Sequence, residues 1–355
     1  MKKVVIVGCG VIGLFCAVRL RQVGAQVTLL DSEAEHPSPH GPIASAAAAG
    51  MLAALDATPS PHEALALESI DLWRFLRTGA EWADGVRFDG GIYTPRTSDE
   101  ADAFLANARR LGREAIPLNA SQARKRLGVE TRLENAVWAA DEGTADPLRV
   151  LTGLAMQARA MGVVIEYHRD VANVTANAVL THDDRVYEAD VVLLAPGVWA
   201  TQRLQNAAPA LKHIRPAKGH VVAVETAAAL GPNFHGHGFY LARRREDVVL
   251  GSTMEFDRFD RKVDPRRVDD LLAAAQAHLP GEIKPSGRAW AGVRPMTPDG
   301  WPIVGWSGDM LIAAGHSRNG WLLAPVTAEI ITAYVFGHEL KPEWAALSPE
   351  RLGVA

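Results

Sequence analysis

The first thirty-one residues confine the chain to a narrow set of folds. Val4-Val5-Ile6-Val7 is an unbroken β-branched run, as a parallel strand buried on both faces requires, and Gly8-Cys9-Gly10-Val11-Ile12-Gly13 follows without a gap. A helical pattern then runs to about Gly24, a short strand spans Gln26 to Leu30, and Asp31 ends it, 18 residues after Gly13. Strand, glycine loop, helix and terminal acid at this spacing read as a dinucleotide-binding βαβ unit. The glycines permit the tight turn, the approach of a pyrophosphate to backbone N–H groups and the close packing of helix on strand, while the helix N-terminus stabilises phosphate charge. Gly8, Gly10, Val11, Ile12 and Gly13 are therefore cofactor-site candidates. Asp31 joins them as acceptor for the ribose hydroxyls of the adenosine, a role that disfavours a 2′-phosphate.

The rest of the composition narrows the partners. With 355 residues and 48 % hydrophobic content the chain has material for two domains. A formal net charge of −4, from 37 basic and 41 acidic residues, gives no global pull toward nucleic acid or anionic lipid. The run Arg243-Arg244-Arg245 is answered at once by Glu246 and Asp247 and reads as a solvated turn. Two cysteines, Cys9 and Cys16, suggest a reducing compartment. The amino terminus imitates an export signal, but its apolar run is broken by glycines and followed by Arg19 and Arg21, which favours a cytoplasmic fold. No apolar run of transmembrane length follows, so no membrane partner is expected.

The sheet pattern of the opening unit recurs late. A buried run, Val191 to Leu194, ends in the turn Ala195-Pro196-Gly197, and Met310 to Ala314 ends at Gly315 before a closing helix from Gly320 to Gly337. Between them, residues 214–290 alternate in strand fashion with one helix near Val268 to His278, and residues 87–128 look like an insertion. The expected fold class is therefore α/β: a Rossmann-like domain, discontinuous in sequence (1–86 with 140–213 and 291–355), plus an α+β substrate domain with a mostly antiparallel sheet (87–139 with 214–290). A nicotinamide enzyme presents such a unit once in a compact domain, whereas this chain returns to the same sheet twice. A helix starting near residues 319 to 321 would face the negative charge that a reduced flavin develops, which favours FAD.

Several segments, in order, carry a family resemblance: VVIVGCGVIG at the start, SAAAAGML at 45–52, DP at 146, LAPGVWA at 194–200, PAKGH at 216–220, YLARR at 240–244, LGSTM at 250–254, AGVRPMTPDGWPIVG at 291–305 and AAGHSRNGWLLAPVT at 313–327. Over nearly its whole length the chain resembles the D-amino acid oxidase superfamily of flavoproteins, nearest its glycine oxidase branch. The resemblance implies non-covalent FAD, since the cysteine that carries flavin in another branch has no counterpart at 294–298. It also implies an oxidase of glycine, sarcosine or a small D-amino acid: hydride leaves to the flavin, the imine hydrolyses, and molecular oxygen is the acceptor that yields hydrogen peroxide. A dehydrogenase with another acceptor would share every motif. Whether copies of the chain form a homo-oligomer stays open.

The resemblance also assigns residues. Arg294 would bind the substrate carboxylate in a two-pronged pair, which suits a planar guanidinium in an otherwise apolar run; the alternative is a structural ion pair with Asp299 or Asp257. Tyr240 would donate its hydroxyl to the same carboxylate, against the alternative of a core aromatic, and Arg318 would be a second active-site arginine, against a solvated loop charge. Met51 and Met254 would flank flavin and substrate, though methionine also fills gaps. Along the flavin the resemblance places Ser45, Ala46, Ala48, Ala49, Gly50 and Met51, whose small side chains would let the backbone lie against a flat ring. Val171, Ala195, Gly197 and Trp199 would follow, then Gly292 with Arg294, and finally His316, Arg318, Asn319, Gly320, Trp321 and Leu322. No side-chain acid or base is expected. Ser317 and Trp321 depart from the residues usual in the branch and leave the pocket size open. His235 and His237 alternate as strand-spaced metal ligands would, but no third ligand accompanies them.

Overall fold

A computed structural model describes residues 1–131, 133, 135–226 and 230–353. The opening unit is strand Lys3–Val7, helix Val11–Gln22 and strand Gln26–Leu30. It lies at the centre of a six-stranded sheet whose order is Ile303–Ser307, Met310–Ala314, Val191–Leu194, Lys3–Val7, Gln26–Leu30, Val164–Glu166. All neighbours run parallel except the edge strand Ile303–Ser307, which returns antiparallel on its predecessor in space. The β-branched runs are buried on both faces because helices cover one face and the hairpin strands 171–188 with the turn 201–213 cover the other.

On the helical face, Val11–Gln22 packs against the closing helix Gly320–Phe336, and helix Glu63–Leu76 locks both. Phe15, Trp73 and Trp82 meet edge to face with centroids 5.0 to 6.0 Å apart, the geometry that matches ring edge to ring face. Trp73 is fully buried, and its indole N–H donates to the Trp321 carbonyl at 2.9 Å, so its polar atom costs nothing in the core. Replacing a side chain of this kind by alanine costs about 3 to 5 kcal/mol.

A second sheet of nine strands runs Glu255–Phe256, Arg215–Thr226, Val248–Gly251, Tyr240–Arg243, Asn233–His235, Gly91–Tyr93, Ala136–Ala139, Ala115–Leu118, with Ile283–Met296 paired along the other side of Arg215–Thr226. Its pairs are antiparallel, except where Asn233–His235 meets Gly91–Tyr93 in parallel because two segments far apart in sequence are brought together there. A small sheet of Met51–Leu52, Gly143–Ala145 and Val86–Arg87 stands between the two. Ile283–Met296 continues unbroken through residue 291, where the sequence pattern had placed a boundary. Its side chains alternate, so Trp290, Gly292 and Arg294 share the face turned to Ala47 while Val293 enters the core behind the six-stranded sheet.

Candidate active site

The glycine loop has the close contacts a phosphate cradle needs. Gly8 holds φ +112°, and a Cβ there would run into the Ala195 carbonyl; a Cβ on Gly13 would run into the Gly8 carbonyl. Asp31 is held at the end of its strand by Cys9 N–H, which donates to Oδ2 at 2.6 Å, and by Glu33 N–H, which donates to Oδ1 at 2.8 Å. Burial raises its pKa, and the N–H donors of Cys9, Glu33 and Ser32 oppose that rise. Burial and the nearby Asp31 push the Cys9 thiol well up, so it stays neutral beside the loop.

Helix ends give an independent test of fit to FAD. Helices Ser98–Arg110, Ala120–Leu127, Pro147–Ala160 and Pro265–His278 each carry a side-chain N-cap, from Thr97, Asn119, Asp146 and Asp264. Val11–Gln22 and Gly320–Phe336 have neither a capping side chain from their own N-cap residue nor an acid in the first turn. Apart from the Val11 N–H, which Ser45 Oγ accepts, their first-turn N–H groups have no capping side chain, and these positive dipole ends suit an anion such as a phosphate or the charge on a flavin pyrimidine ring. The donor set fits FAD, which Gly8 to Gly13, Asp31 and the 316–322 loop would hold.

Between these ends runs 44–52. It is helical only over Ala44–Ala47 and then extends. Ala46 and Ala49 are buried, Ala48 partly, and a Cβ on Gly50 would meet the Ala145 carbonyl. Two indoles fix the segment: Trp321 donates to Ser45 O at 3.1 Å and Trp290 donates to Ala47 O at 2.8 Å, while Ser45 Oγ accepts from Val11 N–H at 3.1 Å. Trp321 is thereby a core residue, stacked on Trp73 at 6.2 Å and 28°, and it shapes the site by holding backbone. Met51 then pairs with Thr144 and packs in one cluster with Tyr240, Ala47, Ala49 and Trp290.

Arg294 emerges from its strand with no acid beside it among the described residues. Asp299 is taken by Arg351, at 2.8 Å, and Asp257 is exposed at a left-handed turn, so neither supplies the structural ion pair. The Arg294 guanidinium donates to Ser252 Oγ at 2.7 Å and to Thr253 O at 3.3 Å, which orient it without neutralising it. Burial lowers its pKa, and the positive charge of Arg318 adds to that, while Tyr240 beside it works the other way. Two glycines missing from the sequence reading make this arrangement. The guanidinium occupies the place a Gly219 side chain would fill, and the Tyr240 phenol end lies over Gly251, where a Cβ would be 2.5 Å from its hydroxyl. The only sequence signal for either was its place inside PAKGH and LGSTM.

The remaining candidates divide. Met254 is half-buried two residues beyond Ser252. Arg318 is exposed, pairs with no acid among the described residues and contributes a second positive charge facing Arg294. Asn319 occupies the N-cap position of the closing helix without a side-chain cap bond, and the first helical residues are Gly320, Trp321 and Leu322; the Leu322 carbonyl accepts from Ser69 Oγ at 2.6 Å. His316 is buried, held to Thr327 Oγ1 at 3.0 Å, and burial pulls its pKa down to about 3, which keeps the ring neutral. Ser317 sits at φ +52°, and its hydroxyl accepts from Thr297 N–H at 3.2 Å while its own N–H donates to Pro295 O at 2.9 Å. It ties the loop to the Arg294 strand. Val171 is buried under the sheet edge, Gly197 turns at φ +61°, and Trp199 donates to Pro42 O at 2.7 Å. His237 bonds Thr94 O and His235 bonds Glu142, so each ring is engaged by protein.

A cavity of about 570 Å³ opens elsewhere, between Pro39, Asp84, Arg149, Arg244 and Trp290. Its arginines are matched by Asp84, Glu246 and Asp247, so it offers a carboxylate no unpaired cation. Among the described residues no group of three or more His, Cys, Asp or Glu is arranged to hold a metal, and no helix is long and apolar enough to cross a membrane.

Comparison with known proteins agrees with this geometry. The chain is 30 % identical over 373 residues to glycine oxidase of Geobacillus kaustophilus (strain HTA426), covering 98 % of this chain and 96 % of that protein. It is 27 % identical over 361 residues to glycine oxidase of Bacillus licheniformis, covering 96 % and 94 %. The solved structure of glycine oxidase from Geobacillus kaustophilus matches with a TM-score of 0.83 at 27 % identity over 98 % of each chain. A family model described as FAD dependent oxidoreductase matches residues 3–334, and the chain thus belongs to the DAO family, as an FAD-dependent amino acid oxidoreductase.

Proposed function

We propose that the protein is an oxidase of a small amino acid, namely glycine, sarcosine or a small D-amino acid. The FAD-binding domain would comprise residues 1–86, 140–213 and 291–355 and the substrate-binding domain 87–139 with 214–290, with Tyr240 reaching the amino acid from the second and Arg294 and Arg318 from the first. The observation that carries this is the Arg294 guanidinium, oriented by Ser252 and Thr253, near Arg318 and accompanied by no acid among the described residues. A planar cation left unneutralised in this way is a receptor for a carboxylate, which it binds through two parallel N–H donors. Tyr240 adds a hydroxyl from the adjoining strands.

Clamped at its carboxylate, the substrate has its α-carbon fixed in place, so that orientation supplies most of the rate enhancement. FAD, when bound, supplies the hydride acceptor. An amine that enters neutral needs no side chain to remove a proton, which fits the absence of an acid next to Arg294 among the described residues. The imine leaves for water and hydrolyses to the 2-oxo acid with release of ammonia or the amine, and with oxygen as acceptor hydrogen peroxide is the second product.

The test is the visible spectrum of the purified holoenzyme, recorded without air before and after glycine, sarcosine, D-alanine and D-proline are added in turn. Bleaching by one of them, with recovery and peroxide on admitting air, supports an oxidase and ranks the substrates. Bleaching that persists in air makes the enzyme a dehydrogenase with another acceptor. A spectrum that none of them changes overturns the small-amino-acid assignment.

A further inference from the structure

Tyr240 lies in a row of residues that cross the sheet on one face: Tyr93, His235, Tyr240 and Gly251 occupy successive register positions. Side chains directly opposite one another on neighbouring strands stand about 4.5 to 5.5 Å apart at Cβ and compete for the space between. On one side of Tyr240 that space is empty, because Gly251 has no side chain, and the phenol end lies over it toward Arg294. On the other side the directly opposite register position is His235.

The His235 ring is fixed on two sides. It stacks on Tyr93 with centroids 4.1 Å apart and planes 5° from parallel. Its Nε2 lies 2.6 Å from Oε1 of Glu142, whose side chain is only 2 % exposed. Glu142 also accepts from Tyr93 hydroxyl at 2.6 Å and from Asn233 Nδ2 at 3.0 Å. Room for the carboxylate exists because Gly91 has no Cβ; any side chain there would overlap it. Asn233 in turn accepts from Thr144 Oγ1 at 2.8 Å, and Thr144 is the strand partner of Met51. A buried, fully bonded carboxylate of this kind is costly to assemble and holds its partners rigidly. Burial and the Glu142 charge raise the Tyr93 pKa well above its ordinary value, so the phenol remains a donor.

We propose that His235, held by Glu142 and Tyr93, is a positioning residue for Tyr240: it blocks the side of the row away from Arg294 and obliges the phenol to lie over Gly251. It rests on the assignment of Arg294 and Tyr240 as the carboxylate clamp. His235→Ala opens the blocked side, His235→Phe refills it with a ring that still stacks on Tyr93, and Glu142→Gln loosens the imidazole.

The experiment titrates acetate, a bare carboxylate that needs no turnover, into the FAD holoenzyme and follows the flavin absorbance, with a crystal structure of the His235→Ala holoenzyme beside it. The expected result is an acetate Kd raised about tenfold by His235→Ala, with about threefold or less remaining in His235→Phe, and no further rise when His235→Ala is added to Tyr240→Phe. The crystal structure should show the Tyr240 ring away from Gly251. Tyr240 unmoved in that structure, or equal losses from His235→Ala with and without the Tyr240 hydroxyl, overturns the proposal. A Tyr240 ring that moves while neither Tyr240→Phe nor Arg294→Ala changes acetate binding supports the positioning role and overturns the clamp instead. If Glu142→Gln fails to fold, the two His235 variants carry the test.

Discussion

Gly219 and Arg294 stand on paired strands, and the guanidinium of Arg294 occupies the space that a Gly219 side chain would need. The obstacle to any larger residue at 219 is the flexible end of a side chain, while the backbone around it is undisturbed. Gly219→Ala should therefore fold and keep its flavin, with Tm within about 3 °C of the parent, yet displace the guanidinium and raise KM at least tenfold, about 1.4 kcal/mol. Thermal melts and steady-state kinetics on the same preparation check this. A parent-like KM would show that the guanidinium needs no fixed seat.

Arg294→Lys keeps the charge and loses the planar pair of donors. Its KM for the amino acid should rise roughly a hundredfold, about 2.7 kcal/mol, with the flavin spectrum intact. Arg294→Ala should lose more than the lysine variant does. Equal kinetics in parent and alanine variant would remove Arg294 from the site.

Arg318 acts on Arg294 through like charge. With no acid between them among the described residues, removing one cation relieves the ligand-free protein and weakens the anion complex. Arg318→Ala should leave Tm unchanged or slightly higher and weaken carboxylate binding by roughly tenfold, about 1.4 kcal/mol. Calorimetry of acetate binding, read together with the melting curve, separates this from a plain surface charge, which would alter neither.

His316 gives a pH dependence of known sign. Its folded pKa, about 3, lies below the roughly 6.5 of an unfolded histidine. The unfolded chain therefore binds more protons between those values, so the contribution is complete above about pH 6.5 and is lost as pH falls. Between pH 6.5 and 5 the loss approaches about 2 kcal/mol. His316→Gln lacks this titration, so the stability gap between parent and variant should narrow by about that amount from pH 7.5 to pH 5 in urea unfolding. A gap independent of pH would assign the acid sensitivity to other groups, among them His220, whose pKa burial also lowers.

Gly13→Ala differs from Gly219→Ala in what the new methyl meets. At position 13 it meets the Gly8 backbone carbonyl, which has no rotamer to change. The strand and helix must part, and retained FAD per chain after gel filtration should fall to a small fraction of the parent value. Full retention would mean that the loop tolerates a wider turn than its contacts indicate.

The amino-acid sequence determined the flavin-binding frame, because strand, glycine loop, helix and terminal acid are local features whose spacing carries their geometry. It likewise marked Arg294 as a charge in an apolar run whose partner had to be either a neighbouring acid or a ligand. Only the tertiary structure shows that, among the described residues, no acid stands beside Arg294, because Asp299 pairs with Arg351 and Arg294 is left to Ser252 and Thr253. The same holds for the seats under Arg294 and Tyr240 and for the row that ends in Tyr93. Gly219, Gly251, His235 and Glu142 lie on separate strands, and their meaning depends on sheet register, which is set by long-range pairing that no local pattern records.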